Sequence, residues 1–386
     1  MRIRDVMLLF PASLLLASCN SGYSGETSTR SAGEAEEDAV NPPFEATRVE
    51  TFSEPWAMAF EPGTGRLFIT EKKGALKFLD PGGHVGIVSG VPKIAYGGQG
   101  GFADIAFSPD YTTTRELYLS WAAPGEGGAR RGVVGRGKLV CGDDDCALHG
   151  LTPIWRQSLA IDSGGQFALR LAFSPDGKYL FVSSGDRMKG ETAQDTTNNL
   201  GSIVRLNLDG TPAAGNPLAG KPGAAPDIWS WGHRNPLGLK FDSEGRLWDL
   251  EHGPAGGDEL NLVERGKNYC WPLVSNGDNY DGTPIPRNST RPDLAAPAMS
   301  WNPVIAPGDF IFYSGPLFPR WRGDALVAGL KTQALIRVSF DGEKPTEAAR
   351  YDMGMRVREI AQGPDGAIWV LGDGSDGRLL KLTPRN

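Results

Sequence analysis

Arg234 and Asn235 stand side by side in Asp227-Ile228-Trp229-Ser230-Trp231-Gly232-His233-Arg234-Asn235-Pro236, a cation and an amide placed just before a predicted strand. After the next strand comes Glu251-His252-Gly253-Pro254-Ala255-Gly256-Gly257-Asp258-Glu259. Two further segments, Gly329-Leu330-Lys331 and Met355-Arg356-Val357-Arg358, put basic groups at the start or end of a strand. Four cations that can converge on one mouth, in a chain of net charge -7, point to an anionic ligand, because clustered like charge costs energy unless something compensates it. Arg356 and Arg358 are two apart, and on a strand such residues face the same side. Taken singly, each arginine also reads as a surface salt-bridge partner, and Gly253-Pro254 as a plain turn.

What must position these residues is a repeat. Trp56-Ala57-Met58-Ala59-Phe60 leads to Leu67-Phe68-Ile69, and Phe102-Ala103-Asp104-Ile105-Ala106-Phe107-Ser108-Pro109-Asp110 leads to Leu117-Tyr118-Leu119. The pattern returns from Leu169, from Leu237 and from Val357, and Trp321 to Ala328 belongs to a weaker sixth copy. In each copy alternating apolar residues make a half-buried strand, a turn such as Pro-Asp-Gly reverses the chain, and a second alternating run pairs back. Hairpins of this kind bury their faces when stacked radially, and an interval of roughly 45 to 70 residues suits four-stranded blades. The 52 glycines and 29 prolines fit many short strands and tight turns. The expected fold is therefore all-β, a β-propeller, with six blades as a count the repeats allow. The charge of -7 argues against a nucleic-acid partner, which requires concentrated Lys and Arg.

The N-terminus reads as an export signal. Arg2 and Arg4 precede the apolar run Val6 to Leu16, which ends in Leu16-Ala17-Ser18-Cys19. The run is too short to span a bilayer permanently, so 1–18 is expected to be a lipoprotein signal peptide cleaved before a lipid-bearing Cys19, the only contact with a membrane. Residues 19–42 hold little to bury and read as a tether, leaving 43–386 as the folded domain. In that oxidising setting Cys141 and Cys146, which bracket a turn, form a local disulfide, while Cys270 beside Trp271 reads as a buried free thiol.

Gly97-Gly98-Gln99-Gly100-Gly101, Gly232-His233-Arg234-Asn235-Pro236, Glu251-His252-Gly253-Pro254 and Arg356-Val357-Arg358, in this order, resemble the glucose/sorbosone dehydrogenase family over nearly everything from Pro55 to Pro384. The resemblance implies a six-bladed propeller with pyrroloquinoline quinone (PQQ) at its axial mouth, an aldose sugar as substrate and an electron acceptor. Arg234, Asn235, Lys331, Arg356 and Arg358 would hold the quinone and its carboxylates, and Gln99 would lie beside sugar and cofactor. It further implies calcium on the backbone carbonyls of Gly253 and Pro254, with Asp258 and Glu259 as candidates for a further calcium; hard oxygen donors suit that ion.

One position departs from the family. Where its members carry the histidine that takes the proton of the sugar C1 hydroxyl, just before an Arg-Leu-x-Phe strand, this chain has Gln166. Glutamine does not titrate near neutral pH. His252, or a water relayed through Gln166, would have to take the proton. The alternative is a propeller that binds PQQ, a sugar or a protein without turnover. A metal-dependent lactone hydrolase is a third reading, which the paired cations oppose. Trp229, Trp231 and Trp301 are candidates for stacking on sugar or quinone, although most tryptophans should be core.

Overall fold

The computed structural model describes residues 42–142 and 144–385, so the signal peptide, Cys19 and nearly all of the tether read from the sequence lie outside the described residues. Of the described chain almost everything regular is β, with one α-helical turn, Tyr111–Thr114, and four short 3-10 turns. β1 (Phe44–Phe52) enters first. β2 (Pro55–Phe60), β3 (Leu67–Glu71), β4 (Leu76–Leu79) and β5 (Val85–Ser89) form an antiparallel meander. β6 (Phe102–Phe107), β7 (Glu116–Pro124), β8 (Arg130–Cys141) and β9 (Cys146–Arg156) form the next, joined to the first by a short parallel pairing of β5 with β9. Two more are built from β10 (Ala168–Phe173), β11 (Tyr179–Ser184), β12 (Ser202–Asn207) and β13 (Ile228–Trp231), and from β14 (Pro236–Phe241), β15 (Leu247–Glu251), β16 (Asp258–Leu262) and β17 (Met299–Trp301). β18 (Pro307–Phe312), β19 (Ala325–Gly329), β20 (Ala334–Asp341) and β21 (Lys344–Asp352) follow, and then β22 (Val357–Gln362), β23 (Ile368–Gly372) and β24 (Gly377–Pro384). The outer place of this last sheet is taken by β1, so the two ends of the domain share one sheet. Phe44 fastens that closure by packing edge-on against Tyr351 and Trp321, at 5.3 and 6.3 Å.

The first strand of each meander packs on the first strand of the next: β2 on β6, β6 on β10, and so on to β22, which returns to β2. This closed ring is a β-propeller, as the repeat predicts. Its hairpins turn as read: in Ser174-Pro175-Asp176-Gly177 the Asp176 carboxylate accepts the Ser174 hydroxyl at 2.6 Å, and Gly177 takes φ +69, a conformation that favours glycine. The weak sixth copy is also a hairpin, but its first strand is β18, upstream of the recognised residues, and a twelve-residue connection with a 3-10 turn replaces the tight turn.

The apolar residues of the strands bury between neighbouring sheets, whereas the axis is polar. The third residues of β6, β10, β18 and β22 are Asp104, Arg170, Asp309 and Glu359, all buried. The chain at the axis is close-packed: a Cβ on Gly308 would come within 2.3 Å of the Arg358 carbonyl. The Cys141–Cys146 disulfide is formed, closing the β8–β9 turn, and Cys270 is a buried thiol whose pKa burial pushes up to about 12.

Candidate functional site

In an antiparallel hairpin the start of the first strand and the end of the second lie at the same edge. A cavity of about 320 Å³ at one mouth of the ring is lined from those places. Glu54, Gln99, Phe167, Asn235 and Arg356 immediately or shortly precede first strands, while Lys72, His252, Leu330 and Asp373 directly follow second strands. Trp56, Leu237 and Arg358, the second residues of β2, β14 and β22, form its base.

Two arginines share one counter-ion here. Asp373 accepts from Arg356 Nε at 3.0 Å and from Arg358 Nε and Nη2 at 3.0 and 2.9 Å. Burial pushes Asp373 up, but the two guanidiniums outweigh it and hold its carboxyl below the ordinary range. Arg358 itself is held below its usual value, because burial outweighs what Asp373 returns. Lys72 is lowered too, by burial and by Arg358, and its Nζ donates to the Gly98 carbonyl at 3.1 Å. On the rim, Glu54 accepts the Tyr96 hydroxyl at 2.8 Å, a bond that lowers the carboxyl's pKa. The cavity therefore presents three basic groups whose compensation by Asp373 and Glu54 is incomplete, an environment for a compact polyanion with a flat body against Trp56 and Phe167.

Gln166 lies beside this cavity without lining it. Gln166, Ala168 and Leu169 all have left-handed backbones, φ 52, 56 and 77, which non-glycine residues adopt at a cost. Cavity residues hold the segment in place: Gln99 Oε1 accepts the Gln166 amide at 2.7 Å, and Asn235 Oδ1 accepts that of Ala168 at 3.2 Å. The Gln166 side chain is turned to the Met188 amide, which donates to its Oε1 at 2.9 Å and to Asp186 at 2.8 Å. His252 does line the cavity. Its Nε2 lies 2.7 Å from the Pro307 carbonyl, which can only accept, so Nε2 carries hydrogen and Nδ1 keeps its lone pair. Burial, with Arg234, Arg358 and Arg356 nearby, pushes its pKa down to about 4 and keeps the ring neutral.

His252 is also a wall of a second cavity, of about 10 Å³, lined by Arg234, Glu251, Gly253, Pro254 and Glu259. That volume suits one water or ion. Gly253 is required in this turn, since a Cβ would fall 2.2 Å from the Gly256 carbonyl. Asp258 shapes the turn: its two oxygens accept the amides of Gly253 at 2.9 Å and Ala306 at 2.7 Å, and burial pushes it up to about 6. Glu259 is raised well above its ordinary value by burial and by the facing carboxylates of Glu251 and Asp249. The carboxyl groups of Glu251 and Glu259, at a cavity of ionic size that Gly253 and Pro254 also line, are oxygen donors of the kind a hard divalent cation takes. Behind them His233 lies 3.1 Å from Asp249 and 3.2 Å from Glu251, and these carboxylates raise it to about 10 against the opposing pull of burial. Glu251 in turn accepts the amides of Arg234 at 2.6 Å and Asn235 at 3.2 Å, which fixes the loop carrying both.

Of the residues singled out from the sequence, Gln99, Asn235, Arg356 and Arg358 meet in the larger cavity, and Arg234, Gly253, Pro254 and Glu259 in the smaller. The Lys331 side chain is exposed, and its neighbour Leu330 is what lines the cavity. The stacking candidates among the tryptophans are corrected: Trp301 is buried with its Nε1 on Glu347, Trp229 packs edge-on against Phe181, and Trp231 borders a different cleft. Trp56 and Phe167 supply the rings instead, and Trp56 belongs to the first repeat copy, where it reads as core. Lys72, Glu54 and Asp373 went unrecognised. Only the last had a signal, since paired arginines at the start of a strand call for an acid at the end of its partner.

The family model for glucose/sorbosone dehydrogenases matches residues 52–381. The aldose sugar dehydrogenase YliI of Escherichia coli strain K12 is 38% identical over 341 residues, covering 86% of this chain and 90% of that protein. Quinoprotein glucose dehydrogenase B of Acinetobacter calcoaceticus is 25% identical over 418 residues, 84% of each chain. Among solved structures, the apo-form of the soluble aldose sugar dehydrogenase from Escherichia coli superposes with a TM-score of 0.84 at 35% identity, covering 89% of this chain and 100% of that one.

Proposed function

The chain belongs to the glucose/sorbosone dehydrogenase family, and on that premise we propose that it is a PQQ- and calcium-dependent dehydrogenase oxidising the C1 hydroxyl of aldose sugars on a six-bladed propeller. The observation that carries this reading is the convergence of Gln99, Asn235, Arg356 and Arg358 with His252 on one cavity. Bound there, PQQ supplies a quinone that accepts hydride, and a neighbouring calcium supplies its polarisation. Arg356, Arg358 and Lys72 would hold the carboxylates, with exposed Lys331 next to the lining residue Leu330 as a further cation, and Arg234 and Asn235 would orient the quinone. Trp56 and Phe167 exclude water from its faces. The carbonyls of Gly253 and Pro254 would hold calcium, with Glu259 as a candidate ligand of a further calcium, while Asp258, whose two oxygens accept the Gly253 and Ala306 amides, would keep the turn in shape. Gln99 sits where it orients the sugar.

The proton of the C1 hydroxyl is assigned to His252, whose Nδ1 keeps its lone pair because Nε2 is held by the Pro307 carbonyl. A base held near pKa 4 is weak, so turnover is slow. A second reading, a binding protein without turnover, is favoured by Gln166, which is committed to the Met188 amide. Dye reduction by protein beginning after Cys19, loaded with PQQ and calcium and offered a panel of aldoses, separates the two, with Gln166→His alongside. Turnover by the unmodified protein, increased about 10²- to 10⁴-fold by Gln166→His, is the expected result. Inactivity of both proteins would leave the binding reading. For the cell we propose export and anchoring through lipid on Cys19, tested by fatty-acid labelling of the full chain and its loss in Cys19→Ala.

A further inference from the structure

Arg170 is the third residue of β10, wholly buried at the axis below the cavity. Its guanidinium reaches the first strand of every other sheet. Nε donates to the Leu237 carbonyl of β14 at 2.6 Å, and Nη2 to the Gly308 carbonyl of β18 at 2.9 Å and to Glu359 of β22 at 2.6 Å. Nη1 lies 3.4 Å from Asp104 of β6 and 3.8 Å from Asp309 of β18, and the Trp56 ring of β2 covers Cζ at 4.1 Å. Lys240 completes the group with Nζ 2.8 Å from Asp309.

We propose that Arg170 is a positioning residue for the cofactor cavity, setting the height and tilt of its base by fixing Trp56, Leu237 and the Arg358-bearing strand at once. Three of these contacts lead to the cavity by a short covalent path. Trp56 and Leu237 line the cavity themselves, and Glu359 is bonded in sequence to Arg358. A ring of separate sheets has no covalent cross-link at its axis, so the relative positions of its inner strands depend on what fills the channel. A planar fork with five donors can hold two carbonyls and two carboxylates in different directions, which the single ammonium of lysine cannot do. Three carboxylates meet two cations in this group, and burial, the largest influence, raises Glu359 well above its ordinary value. The arrangement acts through geometry rather than through net charge.

This inference rests on the PQQ reading for its affinity readout, and amide exchange supplies a readout that does not. PQQ binding to the apoprotein, followed by tryptophan quenching, and exchange of peptides spanning 55–60, 236–241 and 307–312 are compared in the unmodified protein, Arg170→Lys, Glu359→Ala and Glu359→Gln. Arg170→Lys is expected to unfold cooperatively, to exchange faster in those three peptides and not in the outer strands, and to bind PQQ about tenfold or more weakly. Glu359→Gln, which keeps an acceptor for Nη2, is expected to stay within about threefold of the unmodified affinity, and Glu359→Ala to fall with Arg170→Lys. A folded Arg170→Lys protein with unchanged affinity and exchange would overturn the proposal. If that variant does not fold, Glu359→Ala decides on the same two criteria. If the unmodified protein binds no PQQ, the cofactor reading fails, and the exchange pattern alone decides: loosening confined to the three peptides supports positioning, while uniform loosening or none refutes it.

Discussion

Arg170 and Arg358 stand on inner strands of the same ring and carry the same guanidinium, but their surroundings treat them in opposite ways. Arg170 is enclosed by Asp309, Glu359 and Asp104, which outweigh the cost of burial and raise it above its ordinary value. Arg358, one residue nearer the mouth, shares a single carboxylate with Arg356, and there burial wins and lowers it. The inner cation is compensated within the protein; the outer one is short of negative charge and faces open space. A buried cation without full compensation is costly unless a ligand anion completes it, so the contrast marks the boundary between scaffold and binding site along one axis.

The comparison can be broken most severely at its inner member. Arg170→Met leaves Asp104, Asp309 and Glu359 with Lys240 alone, and should destabilise the fold by about 3–5 kcal/mol in denaturant unfolding. Arg358→Ala should do the reverse, costing about 1 kcal/mol or less of stability but about 1.5–3 kcal/mol of PQQ affinity in a reconstitution titration. Equal stability losses in the two variants would erase the distinction. A smaller effect concerns His252. The folded protein takes up its proton only below about pH 4, whereas an unfolded chain does so near 6.5. Between those values the unfolded state binds more protons, so this group's contribution to stability grows as pH rises through the window. Unfolding of unmodified and His252→Asn proteins at pH 5 and pH 7 should show the variant lacking about 1–2 kcal/mol of that rise. The smallest change is expected at Lys331, exposed at the rim: Lys331→Ala should weaken PQQ binding by about two- to threefold and leave stability unaltered.

Much of the site was legible because it obeys local rules. The hairpin repeat places loop residues at strand ends, and the period-2 geometry of a strand puts Arg356 and Arg358 on one side, where both now meet Asp373. The resemblance of four ordered motifs then brought Gln99, Asn235 and the Gly253-Pro254 turn into view together. Lys72 was not legible, since Glu71-Lys72-Lys73-Gly74 has the composition of any solvated turn. Trp56 was hidden for the opposite reason: it sits in the most regular part of the repeat, where an aromatic residue reads as core, and only the ring's closure turns it towards the cavity.

The sequence by itself determined the all-β repeat, the turn chemistry, the Cys141–Cys146 pairing and the glutamine at position 166, because each depends on residues close together in the chain. Tertiary structure alone decided that Gln166 turns to the Met188 amide, that His252 lines the cavity with its Nε2 held by the Pro307 carbonyl, and that Arg170 touches five other strands. Those outcomes depend on contacts between residues up to 189 positions apart, such as Arg170 with Glu359, and no local propensity encodes which distant partner a buried polar group will find once the ring has closed.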